Sequence, residues 1–175
     1  DSIMIPNACA AGNFAISYAY NILKSGKRKY AIAGGAAPLS ENAFKGFSRL
    51  RSMSDDVCRP YDKNRKGMML GEGAGVFFME TLDSAIERGA FIYAEIIGYG
   101  LSCDAYHMVV PDPSASGIYK AMEKAIESAN ISCGEIDYIC THGTGTIAND
   151  KAETLAIKNI FKDKNIPPAS SIKSM

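Results

Sequence analysis

Apolar and polar positions follow two rhythms along this chain, and their alternation predicts strands and helices in turn. The apolar trio Ile3, Met4 and Ile5 reads as a strand already under way, followed by a tight turn of small residues, Pro6-Asn7-Ala8-Cys9-Ala10-Ala11-Gly12. Over 13–25, Phe14, Tyr18, Ile22 and Leu23 recur at helical spacing, and Gly26 stands where a left-handed closing residue belongs. Residues 30–35 form an apolar run of strand length that enters a turn through two glycines, so a buried strand is predicted there, with a helix over 41–50. A second apolar strand follows at 74–80, a helix at 82–88 closed by Gly89, and a long alternating strand at 91–102. Ser114 or Ser116 is placed to cap a helix ending at Asn130, with Ile118, Met122, Ala125, Ile126 and Ala129 on its inner face. A buried strand at 136–140, a helix at 150–161 and a final strand after Pro167-Pro168 complete the series. Strands alternating with helices predict an α/β fold with buried sheets, in which chemistry collects beyond the carboxyl ends of strands. The Cys9 turn and the loop after 136–140 both lie at such ends.

Composition narrows the function classes. The 175 residues are 47% hydrophobic and 22% charged, which suits one domain or a large piece of one. Basic and acidic residues number 19 each, so no net charge draws the chain to nucleic acid or an anionic membrane. The short Lys27-Arg28-Lys29 patch reads as a solvated helix end near the carbonyl dipoles. No apolar run approaches the ~20 residues of a membrane span, and no signal peptide is evident. The five cysteines are odd in number, scattered and without a C-x-x-C pair, which supports neither a disulfide framework nor a zinc site and favours a cytoplasmic setting. Gly71-Glu72-Gly73-Ala74-Gly75 lacks the following Lys-Ser/Thr and the G-x-G-x-x-G spacing of phosphate loops, so close backbone packing is its expected role. The chain opens on Asp1 and ends in what reads as a strand with its following loop, Ser170-Ser171-Ile172-Lys173-Ser174-Met175, and is expected to be a fragment.

The candidate chemistry lies in two segments. A strand, a tight turn and a helix beginning at a cysteine make a nucleophile elbow, in which small neighbours let substrate approach the sulfur. A helix N-terminus adds unpaired N–H groups and a positive dipole end, conditions that favour a thiolate. The competing reading is a packed cysteine in an alanine-rich turn. The second segment, His142-Gly143-Thr144-Gly145-Thr146, contains one of only two histidines. Its glycines permit unusual backbone angles and its threonines can hydrogen-bond a ligand, which is a poor setting for a core histidine.

Seven segments in order carry a family resemblance: Asn7-Ala8-Cys9-Ala10-Ala11-Gly12, Arg59-Pro60-Tyr61-Asp62, Gly71-Glu72-Gly73-Ala74-Gly75, Asp104-Ala105-Tyr106-His107, His142-Gly143-Thr144-Gly145-Thr146, Asn149-Asp150 with Glu153, and Ser171-Ile172-Lys173-Ser174-Met175. Together they resemble the β-ketoacyl-acyl carrier protein synthases, closest to the discrete synthase II type. The resemblance spans nearly the whole chain. It implies a thiolase-like fold, layered α/β/α/β/α and incomplete here, with the end of an N-terminal half over 1 to about 90 and the start of a C-terminal half from about 91 to 175. It also implies decarboxylative condensation of an acyl thioester with a malonyl thioester on acyl carrier protein. Cys9 would be the acyl acceptor, and its N–H half of an oxyanion hole. His142 would be one of a histidine pair that assists decarboxylation. Lys173 would orient the site, with Asp150 and Glu153 as partners from the adjacent helix. Thr144 and Thr146 would hydrogen-bond the phosphopantetheine arm, and Phe47 would line the acyl pocket, although a plain core phenylalanine fits Phe47 equally well. His107 would have a structural role. No metal or enzyme-bound cofactor is implied, since phosphopantetheine arrives on the carrier protein. The parent would be a homodimer.

Departures from the family pattern limit this reading. The second histidine would lie just beyond Met175, and the glycine-rich oxyanion segment and everything ahead of the Cys9 turn are missing. The 53–59 loop is nearer to polyketide synthases, which leaves fatty-acid, polyketide and polyene pathways open. The fragment alone is expected to be inactive and to expose sheet edges and apolar faces. A papain-like protease fits the cysteine-to-histidine separation but not Ala10 after Cys9, nor a chain without tryptophan. A non-catalytic chain-length-factor-like partner subunit is the main alternative, and Cys9 argues against it. Thiolase-like acyl transfer without decarboxylation stays open, though the loop at 142–146 followed by Lys173 favours the carrier-protein class.

Overall fold

The helical spacing of Phe14, Tyr18, Ile22 and Leu23 produces α1 (Ala11–Lys24), which ends through Ser25 and Gly26, the latter at φ +70°. The computed structural model describes residues 2–162 and 164–175 and divides into two units, Asp1–Leu39 with Gly71–Ile96 and Ser40–Leu70 with Ile97–Met175. In the first unit, β1 (Tyr30–Ala37) pairs antiparallel with β2 (Gly73–Glu80), placing Gly35 opposite Gly75. A Cβ at Gly34 would run into the Gly75 carbonyl oxygen. The glycine cluster therefore serves close strand pairing, as expected from the absence of a phosphate-loop pattern. Ala19 and Leu23 of α1 bury against Ala33 and Met79, with Ile16, Tyr20 and Ala31 around them. A short helix, α3 (Leu82–Glu87), follows β2 and has the Thr81 hydroxyl at its N-terminus.

The sheet itself departs from the pattern reading. Burial in β1 and β2 is confined to Ala33 and Met79, while Ile32 is 75% exposed and Val76, Phe77 and Phe78 are more than half exposed. One helix covers one face, and among the described residues nothing covers the other. The apolar trio 3–5 is not a strand, and neither is 91–102. Alternation supplies a face, but a strand also needs a hydrogen-bonded neighbour.

The second unit contains α2 (Glu41–Arg49), α4 (Ser116–Ala129), β3 (Ile139–Cys140), α5 (Ile147–Phe161) and β4 (Ala169–Ser170). α2 begins at Ser40, whose hydroxyl accepts the Ala43 N–H at 3.1 Å. α4 and α5 meet through Ala115, Ala152 and Ala156, flanked by Ile118, Tyr119 and Met122. Neither predicted serine caps α4. The residue ahead of the helix is Ala115 at φ +60°, and the Ser114 and Ser116 hydroxyls both donate to Asp112 instead. The buried strand expected at 136–140 shrinks to two residues, with Cys140 exposed, because its pairing with β4 is limited to Ile139 beside Ala169 and Cys140 beside Ser170. That pairing is parallel, so both strands deliver their following loops to one edge. Among the described residues no helix is long and apolar enough to cross a membrane.

Candidate active site

Cys9 belongs to the first unit. It sits in the 3₁₀ turn Ala8–Ala10, immediately ahead of α1 rather than as its first residue, and its thiol is free and exposed. Ala8 adopts φ +37°, a left-handed conformation that strains a residue with a Cβ. The strained backbone therefore lies one position before the exposed sulfur, an arrangement that fits an elbow.

The remaining site residues, Phe47 apart, assemble in the second unit, around the common edge of β3 and β4. Thr141 N–H donates to Ser170 O at 2.9 Å, which carries the parallel register one step beyond the strands. His142 then lies beside the segment after β4, and Lys173 Nζ donates to the His142 carbonyl at 2.6 Å and lies 3.3 Å from its Nδ1. An ammonium can only donate, so Nδ1 accepts and the ring proton resides on Nε2. Burial lowers the His142 pKa from its ordinary 6.5, and the Lys173 charge lowers it further, against opposing pulls from Glu153 and Asp150. The imidazole is neutral at pH 7, with an N–H available at the nitrogen away from Lys173.

Two buried carboxylates hold the loop from beneath. Glu153 is 5% and Asp150 2% exposed on the first turns of α5. Glu153 Oε1 accepts the His142 N–H at 2.6 Å, and its Oε2 accepts the Gly143 N–H at 2.9 Å. Asp150 Oδ1 accepts the Gly145 N–H at 3.2 Å, while Oδ2 accepts the Tyr61 N–H at 2.8 Å and faces Arg65 Nε at 3.4 Å. Acidic groups at a helix N-terminus also match the dipole. The glycines are required. Gly143 and Gly145 sit at φ +38° and +75°, and a Cβ would strike Ser171 in the first case and the Gly67 carbonyl in the second. Thr144 and Thr146 lie with their hydroxyls 2.8 Å apart, and the Cys58 thiol donates to the Thr144 carbonyl at 3.4 Å. Ser171 Oγ donates to the Gly143 carbonyl at 2.7 Å, tying the two loops together.

Residues 1–85 match the Beta-ketoacyl synthase N-terminal domain, and residues 93–175 match its C-terminal domain. The chain belongs to the β-ketoacyl synthase family. The chain is 43% identical over 173 residues to Nodulation protein E of Rhizobium leguminosarum bv. trifolii, covering 98% of this chain and 43% of that protein. It is 43% identical over 176 residues to 3-oxoacyl-[acyl-carrier-protein] synthase 2 of Staphylococcus aureus, covering 96% of this chain and 43% of that one. A type II polyketide ketosynthase, solved with its acyl-carrier protein and bound to the hexaketide, superposes with TM-score 0.95 at 31% identity, over 100% of this chain and 45% of its own. The chain thus spans less than half the length of the curated relatives it matches, and it has part of the thiolase-like α/β fold of the solved ketosynthases.

Within this ketosynthase segment, the structure brings together His142, Lys173, Thr144, Thr146, Asp150 and Glu153. Phe47 lies half-buried on α2, its carbonyl accepting the Ser52 hydroxyl at 3.3 Å, with no hydrogen bond to that group. His107 is exposed and its Nδ1 accepts the Val109 and Val110 N–H groups at 3.0 and 3.1 Å, a structural loop role. Pattern reasoning assigned no role to Tyr61 or Cys58. Their contacts cross most of the second unit in sequence, and no local periodicity signals such a reach.

Proposed function

We propose that this chain is the central part of a ketosynthase that condenses an acyl thioester with malonyl-acyl carrier protein, in fatty-acid or polyketide synthesis, through an acyl-Cys9 intermediate. The observation that carries the reading is the clamp on His142, with Lys173 above and Glu153 below. Cys9 S⁻ attacks the acyl thioester, the new C–S bond forms, and the carrier thiol leaves. The malonyl thioester then occupies the site, and His142 Nε2–H donates to its carbonyl oxygen as carbon dioxide departs and enolate charge develops there. A neutral, fixed N–H aimed at developing negative charge is what this step requires. The carbanion attacks the acyl-Cys9 carbonyl, the carbon–carbon bond forms, and the Cys9 thiolate is released.

Thr144 and Thr146, with their paired hydroxyls, are the proposed contacts of the phosphopantetheine arm. The enzyme binds no cofactor of its own, and the thioesters arrive on acyl carrier protein, the partner seen with the related polyketide ketosynthase. Phe47 is the proposed acyl-pocket residue. A homodimeric, cytoplasmic parent accompanies this reading and suits five free thiols. The deciding experiment is intact-mass spectrometry of the full-length synthase after incubation with acyl carrier protein loaded with acyl chains. An acyl adduct on wild type that is absent from Cys9→Ser is expected. No adduct with any chain would point instead to a chain-length-factor-like partner subunit.

The clamp also makes a pH prediction. The selectively labelled imidazole resonance that disappears in His142→Gln is expected to titrate below 6.5, since the folded pKa is depressed. Stability linked to this group is therefore present above 6.5 and lost as pH falls through the lower folded value. Lys173→Met removes a neighbouring positive charge, so the midpoint should move up. A wild-type midpoint at or above 6.5 would mean that the two carboxylates dominate His142.

A further inference from the structure

We propose that Tyr61 is a positioning residue of the decarboxylation step, its hydroxyl holding the Glu153 carboxylate in register beneath the His142–Gly143 backbone. The inference rests on the functional reading of His142 given above. Tyr61 O–H donates to Glu153 Oε2 at 2.7 Å, while its backbone N–H donates to Asp150 Oδ2 at 2.8 Å. One residue thus engages both buried carboxylates. Asn149 Nδ2 reaches both as well, at 3.2 and 3.3 Å, but it belongs to α5 and moves with it. Of the hydrogen-bond partners of Glu153 among the described residues, Tyr61 alone lies outside the 142–153 segment. It is the only one that can fix the carboxylate relative to anything other than its own loop and helix.

The backbone supports this assignment. Tyr61 adopts φ +63°, a left-handed conformation that bulky residues seldom take and that persists only where surrounding contacts over-determine it. Here the over-determining contacts are the two carboxylates. Burial raises the Tyr61 pKa far above its ordinary value, and the bond to Glu153 adds to this against an opposing pull from the Thr141 hydroxyl, so the hydroxyl remains a donor throughout the working pH range. Glu153 Oε1 holds the His142 N–H and Oε2 the Gly143 N–H. Any swing of this carboxylate therefore rotates the peptide from which the imidazole projects. Displacements of about 1 Å at such positions can cost up to about 100-fold in rate.

The experiment uses the full-length synthase. It measures malonyl-carrier decarboxylation and Cys9 acylation in the same samples, with rates normalised to the fraction of Cys9 that can be acylated. Tyr61→Phe removes the hydroxyl and keeps the ring. The decarboxylation kcat is expected to fall about 10-fold, with KM for the malonyl carrier and the Cys9 acylation rate unchanged. In a Glu153→Ala background the same substitution should add nothing, because the acceptor of the Tyr61 hydroxyl is already gone. An unchanged kcat, a parallel fall in both half-reactions, or additive losses in the double variant would each overturn the role of Tyr61. Normalisation keeps the comparison valid if Tyr61→Phe folds less efficiently. His142→Ala is run alongside. If it decarboxylates like wild type, the functional reading fails and takes this inference with it. If His142→Ala is impaired while Tyr61→Phe is normal, only the inference fails.

Discussion

Cys9→Ala in the full-length synthase is expected to abolish condensation, by at least about 10³-fold, while malonyl-carrier decarboxylation stays within a few-fold of wild type. The two half-reactions separate because they depend on different residues. Carbon–carbon bond formation needs an electrophilic acyl group held on sulfur, and alanine offers no nucleophile to receive it. Carbon dioxide loss needs an N–H at the developing enolate, and that donor is His142, whose Lys173 and Glu153 contacts lie wholly within its own unit. Release of labelled carbon dioxide and mass analysis of the carrier-bound product read the two steps separately. Adding His142→Ala to Cys9→Ala should then impair decarboxylation too. Condensation retained by Cys9→Ala would refute the assignment outright.

The second large effect concerns Glu153. Replacing it with alanine removes the acceptor for the His142 and Gly143 N–H groups, and the Gly143 N–H is buried. A buried donor left unsatisfied costs about 1–3 kcal/mol, so the Gly143 N–H alone predicts a loss of about that size, to which the part-buried His142 N–H adds. The expectation also includes a fall in decarboxylation of at least about 10²-fold, because the released peptide no longer fixes the imidazole. Glu153→Gln should lie between the variant and wild type. Its amide oxygen can still serve one N–H, but its NH₂ then faces the other donor. Chemical denaturation and decarboxylation assays of the three proteins test this order. An active and fully stable Glu153→Ala would show that the loop keeps its shape without the carboxylate.

Elements with internal periodicity were legible in the sequence. The spacing of Phe14, Tyr18, Ile22 and Leu23 marked α1, and Gly26, Gly89 and Asn130 take the positive φ expected where helices close. α2, α3, β1 and β2 fell within a few residues of their predicted bounds. α5 began at Ile147 rather than Asp150, because helical geometry continues through the polar turn that carries the carboxylate. The apolar trio 3–5 and the segment 91–102 read as strands but form none. A helix satisfies its hydrogen bonds from its own chain, whereas a strand borrows them from a neighbour that local pattern cannot name.

The site divides along the same line. The residue types of the chemistry were set by the sequence alone: a cysteine in a turn of small residues, and a histidine among glycines and threonines whose φ +38° and +75° positions only glycine fills without strain. Family resemblance added Lys173, Asp150 and Glu153. Tertiary structure decided what those residues do to one another. Parallel pairing of two short strands brings Lys173 to Nδ1 of a histidine 31 residues away, and so selects the tautomer. A loop 92 residues from Glu153 supplies the Tyr61 hydroxyl. Chemical type is a property of a single residue and can be read in one dimension. Tautomer, protonation and orientation arise from partners that only the folded chain brings within hydrogen-bond reach.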